Sequence, residues 1–439
     1  MKSVVLASLL AAACMSVAAV GLSTSDADAD RIYSLPDHGP LKSANYGGYV
    51  DSLPDTQAYY WLIESQSNPA TDPVALWLTG GPGCSSLMAL FTEMGPYTFR
   101  NGGELADNPF TWVTNATVIW IDSPGGVGYS TDAQNRLWTD DLTSAYNYAA
   151  LKNILKRHSR FQNNKFFLTG ESYAGHYIPQ LAERIFDGDD LILKANMQGW
   201  MVGNPCTGDI GCNNPDPTME PFWQYHGFHP LDSSIPTQTA NFDPYDILVS
   251  TCTIKQELEM THRFTKDLPH FAAARARVND PPAPYGPCAQ DYLTTYLNRA
   301  DVKAAVHAQP AIVYSCCSTT LRYDFNIKGT VPIYQRLMNN TNWHIMIYSG
   351  TADSIVNFVQ TETIVSGMGR PLKFNEYRAW NYPDVYYPKS TQLGGFYLTF
   401  DRITWATVRN SGHMVPQYNP PAGHEIFLSF ITVGGPGRM

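Results

Sequence analysis

Charge is scarce in this chain, and basic charge is scarcer still. Only 15% of the 439 residues are Asp, Glu, Lys or Arg, and 29 Lys and Arg stand against 39 Asp and Glu, for a net charge of −10. A nucleic-acid partner would leave a basic patch or stripe, and none is visible, so that class is set aside. There is no C-x-x-C pair for zinc or dithiol chemistry, no G-x-x-x-x-G-K-[ST] phosphate-cradling loop and no internal repeat. Nothing in the sequence requires a metal or an organic cofactor. What it has in quantity is apolar surface: 44% of residues are hydrophobic, and 10 Trp, 26 Tyr and 19 Phe make up 13% of the chain. That much burial specifies a folded globular protein rather than a disordered one.

Long apolar runs are missing after the first twenty residues. At the start, Lys2, the apolar run Val4 to Ala13 and the small residues Val17, Ala18 and Ala19 read as a signal peptide over residues 1–21. The run is shorter than the ~20 apolar residues a spanning helix needs. No membrane span is expected in the remaining 22–439, which reads as one α/β domain of the secretory pathway, secreted or vesicular. Seven cysteines follow the signal, and three disulfides with one free thiol is the simplest count, its connectivity open on spacing alone. Asn115 and Asn339 stand in glycosylation triplets. Whether the chain pairs as a homodimer is left open.

Short apolar runs bounded by turn residues, Val74 to Leu78, Val118 to Ile121, Phe166 to Thr169, Trp200 to Val202 and His344 to Tyr348, read as buried parallel strands. Between them, Asp140 to His158 reads as a helix with Thr139 as its N-cap. From 206 to 298 the alternation gives way to Pro-rich, Cys-bearing sequence, which is expected to be a cap inserted in an α/β core.

In Leu168-Thr169-Gly170-Glu171-Ser172-Tyr173-Ala174-Gly175 a strand meets a helix at a turn with serine at its apex, the form of a nucleophile elbow. A serine nucleophile needs a base and an orienting acid, both downstream in this type of chain. Asp353, in the turn after His344 to Tyr348, and His413, in Ser411-Gly412-His413-Met414, meet that need. Thr79-Gly80-Gly81-Pro82-Gly83-Cys84 follows a strand, so Gly81 and Tyr173 are the expected main-chain donors to a tetrahedral oxyanion.

These segments resemble the serine carboxypeptidases, the group of carboxypeptidase Y, cathepsin A and the plant enzymes, through Gly80-Gly81-Pro82-Gly83-Cys84-Ser85-Ser86, Asp122 to Ser130, Gly170 to Gly175 and Gly412 to Pro416. The resemblance implies an α/β-hydrolase fold with a central, mostly parallel sheet flanked by helices, with Ser172 as nucleophile, His413 as base, Asp353 as acid and peptides as substrates. It implies that Trp77, Thr79, Gly80, Glu93 and Glu171 receive the substrate's terminal carboxylate, Thr79 standing where the family has Asn, and that Met414 lines the leaving-group pocket. It also favours Cys84 paired with Cys317, which leaves Cys316 free; Cys252 with Cys288 and Cys206 with Cys212 are the pairs then left for the remaining cysteines, not ones the resemblance supplies. A serine or threonine before Gly-Gly also occurs in the plant acyltransferase relatives, so acyl transfer from a glucose ester is the alternative activity. A protective or binding role in a complex is a third.

Overall fold

The computed structural model describes residues 25–100, 103–208, 216–237, 242–249, 289–325, 328–385 and 389–433. The expected signal at 1–21, and Cys212, Cys252 and Cys288, lie outside the described residues.

Val74-Ala75-Leu76-Trp77-Leu78 has no polar side chain, and a strand apolar on both faces is stable only between two other layers. It is the first of six parallel strands: β1 (Val74–Leu78), β2 (Thr117–Ile121), β3 (Phe166–Glu171), β4 (Met197–Gly203), β5 (His344–Gly350) and β6 (Ile403–Val408). In space they run β2-β1-β3-β4-β5-β6, every neighbouring pair parallel. Antiparallel strands extend both edges: Thr56–Ile63, Asn45–Asp51 and Arg31–Ile32 beyond β2, and Thr391–Thr399 and Arg378–Pro383 beyond β6. The expected parallel strands thus form the centre of a larger mixed sheet of the α/β-hydrolase kind.

Period-two alternation sends Ala75 and Trp77 to one face of the sheet and Val74, Leu76 and Leu78 to the other, so two cores form. The first face is covered by α1 (Ser86–Thr92) and by the helices Ala289–Leu297 and Pro420–Val433. The second is covered by α2 (Asp140–Arg157), α3 (Ala174–Asp187) and the helix Val331–Asn340. Helix α2 begins where expected: Thr139 Oγ1 accepts from Leu142 N, Asp140 and Asp141 fall in the positive first turn, and Lys156 and Arg157 in the negative last turn.

The described parts of the 206–298 stretch divide between two places. Phe222 and Ile247 make a small separate cluster on Ala352, with Trp223, Phe228, Phe242 and Phe358 packed against it. Helix Ala289–Leu297 instead buries Leu293, Tyr296 and Leu297 in the first main core. The block Asp122 to Ser130 is held from within: buried Asp122 accepts from Ser85 Oγ at 2.5 Å and from Tyr129 N at 2.8 Å. Asn339 is exposed and Asn115 partly buried, so the two triplets differ in access.

The last helix is tied to the turn Trp112–Thr114, which leads into β2, by Phe427, whose ring stacks on Trp112 at 4.0 Å and an interplanar angle of 1°. Trp112 Nε1 donates to Gly423 O in the same helix at 3.2 Å. Phe427→Ala leaves a cavity there and is expected to cost about 3–5 kcal/mol. Urea unfolding reads this directly, and an unchanged midpoint would show that the stack contributes nothing.

Candidate active site

Strands β1, β3, β4, β5 and β6 are parallel, so their C-terminal ends lie on one edge of the sheet, where loops can converge. Ser172 follows β3 directly and enters α3 with φ 63°, a left-handed conformation costly for a residue with a side chain. The backbone around it is fully engaged. Ser172 N donates to Gly203 O at 3.0 Å, and Ser172 O accepts from Gly175 N at 2.9 Å and Cys206 N at 3.0 Å. Small residues are obligatory beside it, because a Cβ on Gly175 would lie 2.4 Å from Cys206 O and one on Gly170 2.7 Å from Ala174 Cβ.

Gly80 presses on the same elbow from β1. A Cβ there would lie 2.4 Å from Tyr173 N and 2.8 Å from Ser172 Cβ. Gly81 takes φ 112°, and its Cβ would collide with Gly83 N and Cys84 N at 2.7 and 2.8 Å. The absence of both side chains leaves main-chain N–H groups at the mouth of the elbow.

Asp353 and His413 meet beyond the ends of β5 and β6. His413 Nδ1 donates to Asp353 Oδ2 at 2.6 Å, and both side chains are buried. The second oxygen of Asp353 accepts from Ile355 N at 2.7 Å, which fixes the carboxylate plane. With Nδ1–H committed to the carboxylate, Nε2 is the imidazole's free acceptor. Ser172, His413, Met414, Tyr173, Glu171, Thr79, Gly80 and Gly81 all line one cavity of about 240 Å³.

Trp77 and Glu93 do not line that cavity; each stands behind a residue that does. Trp77 Nε1 donates to Thr79 Oγ1 at 2.8 Å. Glu93, the C-cap of α1, is buried against Glu171, and burial raises both carboxyls above the ordinary range, the Glu93 charge adding to the rise at Glu171. Their carboxyls can share a hydrogen bond only when one is protonated. With both ionised, Glu93 Oε1 and Oε2 and Glu171 Oε2 have no hydrogen-bond partner among the described residues.

The sequence matches the family model described as serine carboxypeptidase over residues 36–234 and 225–433. The chain belongs to the serine carboxypeptidase family. Serine carboxypeptidase 24 of Arabidopsis thaliana is 32% identical over 447 residues, covering 93% of each chain. Serine carboxypeptidase ctsa-4.1 of Caenorhabditis elegans is 31% identical over 432 residues, covering 88% of this chain and 90% of that one. The fold is similar to the crystal structure of KEX1(DELTA)P, a prohormone-processing carboxypeptidase from Saccharomyces cerevisiae, with TM-score 0.65, 16% identity and coverage of 92% and 96% of the two chains.

Two features of this serine carboxypeptidase family member escape its motifs. Buried Asn204, at φ 41° after β4, donates from Nδ2 to His413 O and accepts from Gly350 N at 2.9 Å, joining the base loop to the acid strand. A strap from the 206–298 stretch does the same from outside. Tyr245 O accepts from His413 N at 2.6 Å, Pro244 O accepts from Ser354 N at 3.1 Å, and Ile247 N donates to Ala352 O at 3.0 Å. The Tyr245 ring meets the His413 imidazole edge-on at 5.2 Å and lines the cavity, as do Met88, Gln290, Phe325 and Ile355. Asn204 follows a strand before proline, a faint signal, and the strap has no periodic pattern at all.

Cys84 and Cys317 are bonded and line the cavity, while Cys316 is free, its thiol pushed up by burial. Cys206 is also in a disulfide. Among the described residues no group of His, Cys, Asp and Glu is placed to hold a metal, and no helix is long and apolar enough to cross a membrane.

Gly80→Ala drives a methyl against Tyr173 N and is expected to lower kcat by about 10²–10³, the cost of losing one oxyanion donor. Retention of more than a tenth of wild-type kcat, in a variant with wild-type circular dichroism, would show that the contact does not shape the site.

Proposed function

We propose that this chain is a serine carboxypeptidase that releases C-terminal residues from peptides through an acyl-enzyme and works best at acid pH. The observation that carries the reading is the convergence of Ser172, the His413–Asp353 pair and the acidic residue Glu171 on one small cavity. Its place is the secretory pathway, secreted or in a lysosome or vacuole, with a cap formed by the part of the 206–298 stretch that precedes the core helix Ala289–Leu297.

Ser172 Oγ attacks the last peptide carbonyl while His413 Nε2 takes its proton, and the charge that develops on the carbonyl oxygen is received by the N–H groups of Gly81 and Tyr173. When the C–N bond breaks, His413 returns that proton to the departing amine. Water then attacks the ester by the same route and Ser172 is regenerated. Asp353 holds the imidazole in the Nδ1–H form throughout.

Selection for a free C-terminus comes from donors aimed at its carboxylate. Thr79 Oγ1 already accepts from Trp77, so its one proton is available to donate. A protonated Glu171 supplies a second donor, which the raised pKa of the acid pair provides. The sign is fixed by the direction of the shift. Below the raised values the pair holds its protons and binds the carboxylate; as pH rises through them the donor is lost and a repelling charge appears.

Ser172→Ala is expected to lose hydrolysis by at least about 10³-fold without loss of fold. A variant that keeps cleaving a blocked dipeptide removes the assigned nucleophile. Comparing that dipeptide with its C-terminal amide over about pH 5 to 10 tests the acid pair, because burial pushes Glu93 up to about 8 and Glu171 well above the ordinary range, and the scan must pass through that region. The preference for the free acid is expected to fall as pH rises, and to lose its pH dependence in Glu171→Gln. Acyl transfer from a glucose ester with little peptide cleavage would favour the transferase instead.

A further inference from the structure

Tyr173 matters to the proposed chemistry through its main chain, yet its side chain is the most constrained at the elbow. The hydroxyl donates to Asp140 Oδ1 at 3.0 Å, and Tyr323 OH donates to the same oxygen at 2.6 Å. His176 Nδ1 stands 3.2 Å from the other oxygen, Oδ2, and its ring stacks on Tyr173 at 4.6 Å with planes 9° apart. Asp140, Tyr173 and His176 are all buried, and Tyr323 is half-buried. Three elements therefore meet on one carboxylate: the first turn of α2, the elbow with α3, and the strand Arg322–Asp324.

A buried carboxylate is costly unless well paired, and apolar residues of similar size would fill the space at less cost. Burial opposes ionisation of Asp140, but His176, Tyr323 and Tyr173 together bring its carboxyl below the ordinary range. What this anchor adds over apolar packing is direction. A hydroxyl bonded to a fixed charge sets the ring's position along its length and its rotation, and through them the plane of the peptide that carries Tyr173 N–H. Ser172 needs such a brace, because its left-handed backbone has no intrinsic preference for that geometry.

We infer that Asp140 is a positioning residue, which holds the Tyr173 main-chain N–H in register for the developing oxyanion by gripping the Tyr173 hydroxyl. This rests on the reading of Tyr173 N–H as an oxyanion donor. A donor that matters only in the transition state affects kcat and leaves ground-state binding nearly unchanged.

The test measures kcat and KM for a blocked dipeptide in the full-length protein and in Asp140→Asn, Tyr173→Phe and the double variant, with Ser172→Ala alongside. Each single change is expected to lower kcat about tenfold, less than outright loss of a donor, with KM within about twofold. The double variant should be no worse than the weaker single, since both remove the same grip. A peptide aldehyde, which mimics the tetrahedral state, should lose affinity by the same factor as kcat. Wild-type kcat in Tyr173→Phe, or additive losses in the double variant, would overturn the inference, and Tyr173→Phe decides it alone if Asp140→Asn does not fold. Residual hydrolysis by Ser172→Ala would instead defeat the underlying reading. Loss of hydrolysis there, with Tyr173→Phe unaffected, defeats the positioning role only.

Discussion

The site depends on one close approach, that of the Gly80 backbone to the elbow after β3, where a single added carbon would sit 2.4 Å from Tyr173 N. Two parallel strands end side by side there, and each gives up side chains so that their turns can interlock. The strain at Ser172 is held because Gly203, Cys206 and Gly175 all bond to that residue's backbone. The serine's exposure into the cavity, the open main-chain donors and the compactness of the turn are consequences of this one packing solution.

A second theme is how an apolar interior accommodates acids. Asp353 is hydrogen-bonded by an imidazole and main-chain donors, Asp122 by Ser85 and Tyr129, and Asp140 by two phenols with a histidine ring beside it. Glu93 and Glu171 are buried against each other, with no hydrogen-bond partner among the described residues for three of their four carboxyl oxygens, and such a pair resolves its repulsion by keeping protons. The same carboxyl group thus serves as a fixed acceptor or as a proton holder according to what surrounds it.

The central strands were legible because β1 to β5 are apolar on both faces, and α2 because its cap and terminal charges agree with its pattern. Strand β6 and the antiparallel flanks were not: Thr391–Thr399 carries paired glycines, and Ile403–Val408 mixes Thr with apolar residues, so burial there depends on neighbours distant in sequence. Ser172, Asp353 and His413 stood out through local motifs, since chemistry restricts their immediate neighbours. Asn204, Asp140 and Tyr245 act through contacts 33 to 209 residues away, and no local spacing encodes those.

The strap formed by Pro244 to Ile247 gives the outer layer an unexpected status. Its main chain bonds to both the acid turn and the base loop, while the Tyr245 ring forms part of the cavity wall. One wall of the cavity and the hold on the Asp353 and His413 loops therefore share a peptide backbone. Selectivity and reactivity are not separable modules in such a chain. An exchange of the outer layer between relatives carries the Tyr245 carbonyl that holds the His413 main chain with it.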